Sequence, residues 1–327
     1  MRFLITGGAG FIGSHLAERL VARGERVTVL DNLSTGSLDN IAHLVDSGAV
    51  DFHFGSIQER DTVDELLGEA DFVVHLAAAL GVKLILEKPV ESIETNVTGT
   101  HVVLASAARN RTPVLIASTS EVYGKSNKIP FCENDDVVLG ATRKSRWSYA
   151  ASKMLDEFLA LSYWEEKHVP AIVVRFFNTV GPRQNARYGM VLPTFVQQAL
   201  EDAPITIHGD GKQSRCFCDV RDTVEAVTRL IDAQPFGEVF NIGSTQEISI
   251  EELALLVRER LGSRSRILYT PYDQAYNRGY EDMQRRVPSV EKLYTLTDFR
   301  PQITLPEIID RTAAHVRSTS PALAEAL

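Results

Sequence analysis

The hydrophobic residues in the first half of the chain fall into short, nearly unbroken runs. Residues 2–6, 26–31, 50–54, 72–76, 113–118 and 171–176 are each apolar-rich and too short for a helix, which predicts strands. Between them, residues 12–21, 93–108 and 152–166 repeat their apolar positions at helical spacing. A strand with one wet face alternates apolar and polar residues, whereas unbroken runs mean that helices cover both faces. Strands alternating with helices predict βαβ units, hence an α/β fold with a doubly wound parallel sheet.

The texture changes from Gly181 onward, where Arg, Gly, Pro and Gln become frequent, as in Gly181-Pro182-Arg183-Gln184 and Gly209-Asp210-Gly211-Lys212-Gln213. Short strand patterns at 205–208, 239–242 and 267–269 surround a helical pattern at 250–261. The expected organisation is a sheet domain of residues 1–176, with 215–243 returning to it. Residues 177–214 and 244–327 would form a smaller C-terminal α/β cap, ending in a loose tail over 318–327. Open α/β sheets bind ligands at the carboxyl edge that such a cap would cover.

Composition narrows the classes of function. The 327 residues are 44% hydrophobic and 24% charged, the balance of an ordinary globular protein, and the formal net charge is -9. Nucleic-acid binding requires a basic face that replaces condensed counterions, so no nucleic-acid partner is expected. An anionic small molecule can still be held by locally placed Arg, Lys and helix N-termini. Cys132, Cys216 and Cys218 form no C-x-x-C pair and have no His cluster beside them, so neither a disulfide framework nor a metal site is expected. No apolar run approaches the ~20 residues of a membrane helix. No leader pattern precedes the strand at Arg2. Free thiols in a reducing cytoplasm, with no membrane attachment, is the expectation.

Chemistry enters at residues 6–13, TGGAGFIG, which follow the first strand and open a helix. Gly7, Gly10 and Gly13 give the spacing G-x-x-G-x-x-G, which allows a tight turn and close approach of backbone N–H groups to a pyrophosphate. Asp31 ends the second strand 18 residues past Gly13. An acid there accepts from an adenosine ribose 2′-hydroxyl and repels a 2′-phosphate, which favours NAD over NADP. Residues 72–78 form a strand ending in the small residues Ala77 and Ala78, against which a cofactor can lie. His75 within it reads as a core histidine with satisfied hydrogen bonds. Tyr149 and Lys153 stand one helical turn apart on one face. A phenol with pKa about 10 is a poor base at neutral pH, and a neighbouring ammonium together with the nicotinamide charge favours the phenolate. Tyr149 could then take a proton from a sugar hydroxyl.

Together with TGGAGFIGSHL (6–16), the segments DNLSTG (31–36), HLAA (75–78), STSEVYG (118–124), YAASK (149–153), RFFNTVGPRQ (175–184) and GDGKQSRCFCDVRD (209–222) resemble successive signatures of one family. This is the extended short-chain dehydrogenase/reductase family of nucleotide-sugar epimerases, dehydratases and decarboxylases. The resemblance covers nearly the whole chain and is weaker over 79–95. It implies a Rossmann domain, a C-terminal sugar-nucleotide domain, a tightly held NAD and transient oxidation at sugar C4. By resemblance the cofactor site comprises Gly7, Gly10, Phe11, Ile12, Gly13, Asp31, Asn32, Ser34, Thr35, Gly36, Ser56, Ile57, Leu76, Ala77, Ala78, Asn96, Tyr149 and Lys153. The nucleotide-sugar side comprises Asn178, Arg183, Val191, Thr194, His208, Gln213, Arg215 and Arg286, with Asn178 and Arg215 at the phosphates. A homodimer joined through two helices of each subunit is also implied.

Within the family, the residues after the catalytic Thr sort the chemistry. Dehydratases resemble Thr-Asp-Glu, and the acid that protonates a departing C6 hydroxyl is missing from Thr119-Ser120-Glu121. Thr-Ser-Glu is similar to UDP-glucuronate decarboxylases. KSRWSYAASK (144–153), the 209–222 segment and GYEDMQRRVPS (279–289) resemble the decarboxylase domain acting in aminoarabinose addition to lipid A. That similarity gives Glu121 and Arg286 the roles of orienting the sugar and reprotonating C5, with Arg285 and Arg286 as a solvated basic pair being the bland alternative. The expected catalytic set is Thr119, Ser120, Glu121, Tyr149, Lys153 and Arg286. Two other readings stay open: a UDP-glucose or UDP-glucuronate 4-epimerase, and a non-catalytic NAD-sensing regulator, which fold alone would permit. Intact Thr119, Tyr149 and Lys153 argue against the regulator.

Overall fold

The computed structural model describes residues 1–81, 87–186, 189–275 and 281–320. Residues 279–280 of the 279–289 motif and 321–327 of the expected tail lie outside the described residues. The strands are β1 (Arg2–Thr6), β2 (Arg26–Asp31), β3 (Val50–Phe54), β4 (Phe72–His75), β5 (Val114–Thr119), β6 (Ala171–Phe176), β7 (Thr179–Val180), β8 (Ile205–His208), β9 (Ser214–Cys216), β10 (Cys218–Asp219), β11 (Glu238–Ile242), β12 (Glu247–Ser249) and β13 (Ile267–Thr270). The helices that matter below are α1 (Phe11–Ala22), α2 (Arg60–Gly68), α3 (Pro89–Asn110), α4 (Arg146–Lys167), α5 (Val191–Leu200), α6 (Val220–Ala233), α7 (Ile250–Arg260), α8 (Glu291–Thr297) and α9 (Leu305–Thr319).

Seven strands form one parallel sheet in the order β11-β6-β5-β4-β1-β2-β3. The chain leaves β1 toward β2 and β3, then returns to place β4 on the other side of β1. That reversal opens a crevice beyond the carboxyl ends of β1 and β4. The register aligns Thr6 with both Leu30 and His75, so the residues that follow these strands emerge together at one edge.

The unbroken apolar runs are explained by two cores, one on each face of the sheet. Phe3, Ile5, Val27, Val29, Val74, Ile172 and Val174 pack with Leu16 and Leu20 of α1 and with Val224, Val227 and Leu230 of α6. Leu293 and Phe299 join this side. Leu4, Leu30, Val73, Ile116 and Val173 pack with Val63 of α2, Val103 and Leu104 of α3, and Ala160 of α4. A third core gathers Leu192, Phe195, Ile205, Ile207, Leu253, Val257, Ile308 and Ile309 from α5, β8, α7 and α9. Helices α7 and α9 each begin in a capping box, Ser249 with Glu252 and Thr304 with Glu307, which satisfies N–H groups with no intrahelical acceptor.

Two helices start earlier than their apolar periodicity indicates. Helix α3 begins at Pro89, where a missing N–H costs nothing in the first turn, and α4 begins at Arg146. The fourth strand ends at His75, and the fifth runs one residue later than expected, Val114–Thr119. Pro113 has no N–H to give but its carbonyl still accepts from Val73 N at 2.8 Å. Among the described residues no helix is long and apolar enough to cross a membrane, and no cluster of His, Cys, Asp or Glu could hold a metal ion.

Candidate active site

A cavity of about 1150 Å³ runs along the carboxyl edge of the sheet. Its floor begins at the turn after β1. Gly7 takes φ +74°, and a Cβ there would meet the backbone N of Ala77 at 2.7 Å. A Cβ on Gly13 would sit 2.3 Å from the Gly7 carbonyl oxygen, so only glycine lets α1 start this close to the turn. Gly10, Phe11, Ile12 and Gly13 line the cavity at the N-terminus of α1, where first-turn N–H groups and the helix dipole favour an anion.

Asp31 closes β2 at the cavity rim. Its Oδ2 accepts from Ala9 N at 3.0 Å and its Oδ1 from Leu33 N at 2.8 Å. Burial raises its pKa while those two N–H groups oppose the rise. Asn32, Ser34, Thr35, Ile57, Leu76, Ala77 and Ala78 also line the cavity. Three residues of the expected cofactor set do not. Gly36 lies against the Ala9 backbone, its Cβ position 2.8 Å from Ala9 C, and brings the 32–40 strap onto the glycine turn. The Ser56 hydroxyl is turned to its own loop and accepts from Gln58 N at 3.2 Å. Asn96 is buried behind the wall, where its Oδ1 accepts from Ala79 N at 2.8 Å and its Nδ2 donates to Ser152 Oγ at 3.1 Å. It ties the segment after β4 to α4 rather than lining the cavity. His75 is held by Thr6 Oγ1 at 2.7 Å and Thr100 Oγ1 at 3.1 Å, and burial lowers its pKa to about 3.

Across the crevice, β5 ends at Thr119 and a 3₁₀ turn carries Ser120 and Glu121. Thr119, Ser120, Glu121, Tyr149 and Lys153 all line the cavity. The Thr119 hydroxyl hydrogen-bonds Tyr149. Lys153 Nζ donates to Asp156 Oδ2 at 2.6 Å. Burial, then the negative charges of Glu121 and Asp156, push the Tyr149 pKa above the ordinary tyrosine value, outweighing Thr119 and Arg286.

The far side of the cavity is a charge cluster assembled from distant segments. Arg286 Nη1 stands 3.5 Å and Arg146 Nη2 3.6 Å from Glu121 Oε1. Arg146 Nη2 also lies 3.0 Å from Asp282 Oδ1, and Arg215 Nη2 donates to Asp282 Oδ2 at 2.8 Å. Burial pushes the Asp282 pKa up, but Arg215, Arg146 and Arg286 together hold it below the usual value. Burial and the nearby Arg215 lower Arg286 to about 10. Among the described residues this cluster brings three guanidiniums together with two carboxylates on the cavity. Arg285 points away and pairs with Glu247 at 2.6 Å, so the solvated alternative describes Arg285 and not Arg286. Arg146 and Asp282 belong to the site but were not singled out beforehand, because 136 residues of chain separate them and no local spacing joins them.

The expected substrate-side residues Asn178, Arg183, Val191, Thr194, His208, Gln213 and Arg215 all line this same cavity. Asn178, with φ +34°, donates from Nδ2 to Cys216 O at 3.0 Å, and Gln213 Nε2 donates to His208 O at 3.0 Å. Arg183 reaches from the loop after β7 to Glu18 of α1.

Comparison with known proteins agrees with this geometry. A family model described as the NAD dependent epimerase/dehydratase family matches residues 3–243. The chain is 44% identical over 304 residues to UDP-N-acetyl-alpha-D-glucosaminuronate decarboxylase of Bacillus cytotoxicus, covering 93% of this chain and 94% of that one. It is 36% identical over 312 residues to UDP-glucuronic acid decarboxylase 4 of Arabidopsis thaliana, covering 93% of this chain but only 66% of that protein. UDP-glucuronic acid 4-epimerase of Bacillus cereus, solved with UDP-glucuronic acid and NAD, superposes with a TM-score of 0.88 at 25% identity, covering 98% of this chain and 100% of that one. With the glycine turn, Asp31 and the Tyr149–Lys153 pair on one cavity, the chain belongs to the NAD-dependent epimerase/dehydratase family.

Proposed function

We propose that the protein decarboxylates a UDP-hexuronate through a 4-keto sugar. One observation carries this reading: the guanidiniums of Arg146, Arg215 and Arg286 line the same cavity as Tyr149, with Glu121 against Arg146 and Arg286. A uronate needs a cation to hold its carboxylate, and a neutral hexose does not. The Bacillus relative is named for the 2-acetamido sugar and the Arabidopsis relative for the 2-hydroxy sugar. The former matches along nearly its full length, so UDP-N-acetylglucosaminuronate is the first substrate to test and UDP-glucuronate the second.

The residues fit NAD. The cradle at Gly7 and Gly13 has no room for a Cβ, the N-terminus of α1 faces the cavity, and Asp31 stands at its rim. Bound there, NAD would supply the acceptor and later the donor of the C4 hydride. Tyr149, hydrogen-bonded to Thr119, takes the proton of the C4 hydroxyl. The 4-keto uronate is a β-keto acid, so its carboxylate leaves as carbon dioxide and the electron pair remains as an enolate. Arg286 and Arg146 stabilise negative charge there, and Glu121 orients the ring and relays the proton to C5. Return of the C4 hydride and of the Tyr149 proton gives a UDP-pentose or its 2-acetamido counterpart.

We also read the active form as a cytoplasmic homodimer. Helices α3 and α4 lie side by side and leave Val90, Ile93, Leu155 and Phe158 exposed, an apolar face that a second copy would cover. Light scattering of wild type and Phe158→Glu checks it.

Mass spectrometry after incubation with each UDP-hexuronate and NAD tests the reaction. Loss of carbon dioxide, abolished in Tyr149→Phe, is the expected result. A product of unchanged mass with inverted C4 would make the enzyme a 4-epimerase. No turnover of any UDP-sugar, with NAD still bound, would favour the regulator.

A further inference from the structure

Asn241 stands on β11 with no solvent exposure and does not line the cavity, yet its side chain holds the two segments that carry Glu121 and Arg286. Its Oδ1 accepts from the Tyr123 hydroxyl at 2.8 Å, and Tyr123 ends the 3₁₀ turn of Glu121. Its Nδ2 donates to Phe131 O at 3.0 Å and to Ser289 O at 3.2 Å. Two carbonyls can only accept, so the amide nitrogen must face them and the amide oxygen the phenol. Phe131 N donates to Val287 O and Ser289 N to Phe131 O, both at 2.8 Å, which makes an isolated parallel bridge at Pro288. Val287, Pro288 and Ser289 follow Arg286 directly in the chain.

The packing around this amide leaves it little slack. The Tyr123 and Phe131 rings stack at 4.5 Å between centroids, 5° from parallel, and neither is exposed. A Cβ on Gly243, two residues past Asn241, would stand 2.6 Å from Phe177 Cβ and 3.3 Å from Pro288 Cγ, so the chain after β11 lies directly against the bridge. Ahead of Arg286 the chain is pinned by Asp282, through Arg146 at 3.0 Å and Arg215 at 2.8 Å. Behind it the chain is pinned by Asn241. The Glu121 and Arg286 side chains themselves stay partly exposed and stand 3.5 Å apart, too far for a strong hydrogen bond. Their separation is therefore set by where the backbone places them more than by their own attraction.

We infer that Asn241 is a positioning residue that sets the Glu121–Arg286 separation, and through it the preference for a sugar carboxylate over a neutral hydroxymethyl group. Without the amide, two carbonyls and a phenol lose their partner in a dry core, where an unmade hydrogen bond is costly. The segment after Arg286 then moves to find other partners, and the guanidinium moves with it. Contacts to the rest of the nucleotide sugar come from other elements and keep their places.

This role rests on the reading that Arg286 meets the uronate carboxylate, and its test reads binding alone, so it stands apart from whether carbon dioxide leaves. Titration calorimetry gives dissociation constants of UDP-glucuronate and UDP-glucose on NAD-loaded protein carrying Tyr149→Phe, so that nothing turns over. To this parent are added Asn241→Leu, Arg286→Ala or both. Arg286→Ala should lower the preference for the uronate by about twentyfold, the scale of one hydrogen bond to a charged group. Asn241→Leu keeps the branched outline and removes both polar ends. It should lower the preference by about fivefold in the parent but by less than about twofold beside Arg286→Ala, because residues acting through one contact are not additive. Tyr123→Phe removes only the phenol oxygen and should lower the preference by about threefold, a smaller share of the same hydrogen-bond network. It carries the test if Asn241→Leu does not fold. Equal weakening of both ligands, or the same drop in preference with and without Arg286, would show that Asn241 only packs β11 and would overturn the inference. An unchanged preference in Arg286→Ala would overturn the reading of Arg286 and the role of Asn241 together.

Discussion

The Arg286 guanidinium and the Glu121 carboxylate meet at 3.5 Å across the cavity, although 165 positions separate them in the chain. Neither is fully buried; their side chains keep 13% and 15% exposure, so both can exchange each other for a sugar. Arg286→Ala should lower kcat for carbon dioxide release by roughly a hundredfold, the ~3 kcal/mol typical of losing a charge partner of the transition state. Glu121→Gln keeps the shape and removes the proton carrier, so the 4-keto intermediate should accumulate. Stopped-flow absorbance of the reduced cofactor and mass analysis of quenched samples check both. Wild-type rates in either variant would remove this pair from the chemistry.

Asp31 is the residue expected to set the choice of cofactor. Its two oxygens each hold one backbone N–H, which fixes the carboxylate at the rim with a lone pair left for a ribose hydroxyl. Asp31→Ala should weaken NAD by about ten- to a hundredfold, the ~1.5–3 kcal/mol of a charged hydrogen bond, and should narrow the preference over NADP. Copurification of NADP with the wild-type protein would contradict this.

The parallel sheet was legible because burial on both faces leaves apolar runs in β1, β2, β4, β5 and β6, whereas the edge strand β3, Val-Asp-Phe-His-Phe, alternates. The glycine turn and Asp31 were legible because their spacing is local and each type has a steric or electrostatic reason. Asn96, expected near the cofactor, does not itself line the cavity. A resemblance can mark a position, but it cannot tell a wall residue from the amide that holds the wall through Ala79 and Ser152. Arg146 and Asp282 meet only through tertiary packing, and no period or motif links residues so far apart. The Tyr149–Lys153 spacing was clear, whereas its electrostatics depended on Asp156, which sequence alone could equally have turned to solvent.

Beneath β5, Arg175 grips both oxygens of Glu157 from Nε and Nη2, and its Nη1 donates to Glu133 O at 3.0 Å. The guanidinium also lies 4.8 Å from the Tyr123 ring centroid. Glu157 belongs to α4, two turns after Tyr149, so this pair sets how that helix sits on β5 and β6. Both side chains are 7% exposed, and an arginine left alone there has no water to turn to. Glu157→Gln should cost about 3–5 kcal/mol, as for breaking other buried pairs. Urea unfolding measures it, and a change below 1 kcal/mol would mean that the pair is solvated in solution.

His75 links stability to pH. In the native protein burial holds its pKa near 3, against 6.5 in the unfolded chain, so the unfolded chain binds the proton more readily. The contribution of the neutral imidazole is therefore complete above pH 6.5 and is lost as pH falls toward 3. Between neutral pH and pH 5 this one group should remove about 2 kcal/mol of folding stability. His75→Gln has no such group to protonate. It loses packing and hydrogen bonds to Thr6 and Thr100, so it starts less stable, but its stability should fall less on acidification. Urea unfolding of both proteins at pH 7.5 and pH 5 isolates the difference, because the other titrating groups are shared. Equal losses in the two proteins would mean that His75 takes up its proton at an ordinary pH, and that its hydrogen bonds to Thr6 and Thr100 are open to water.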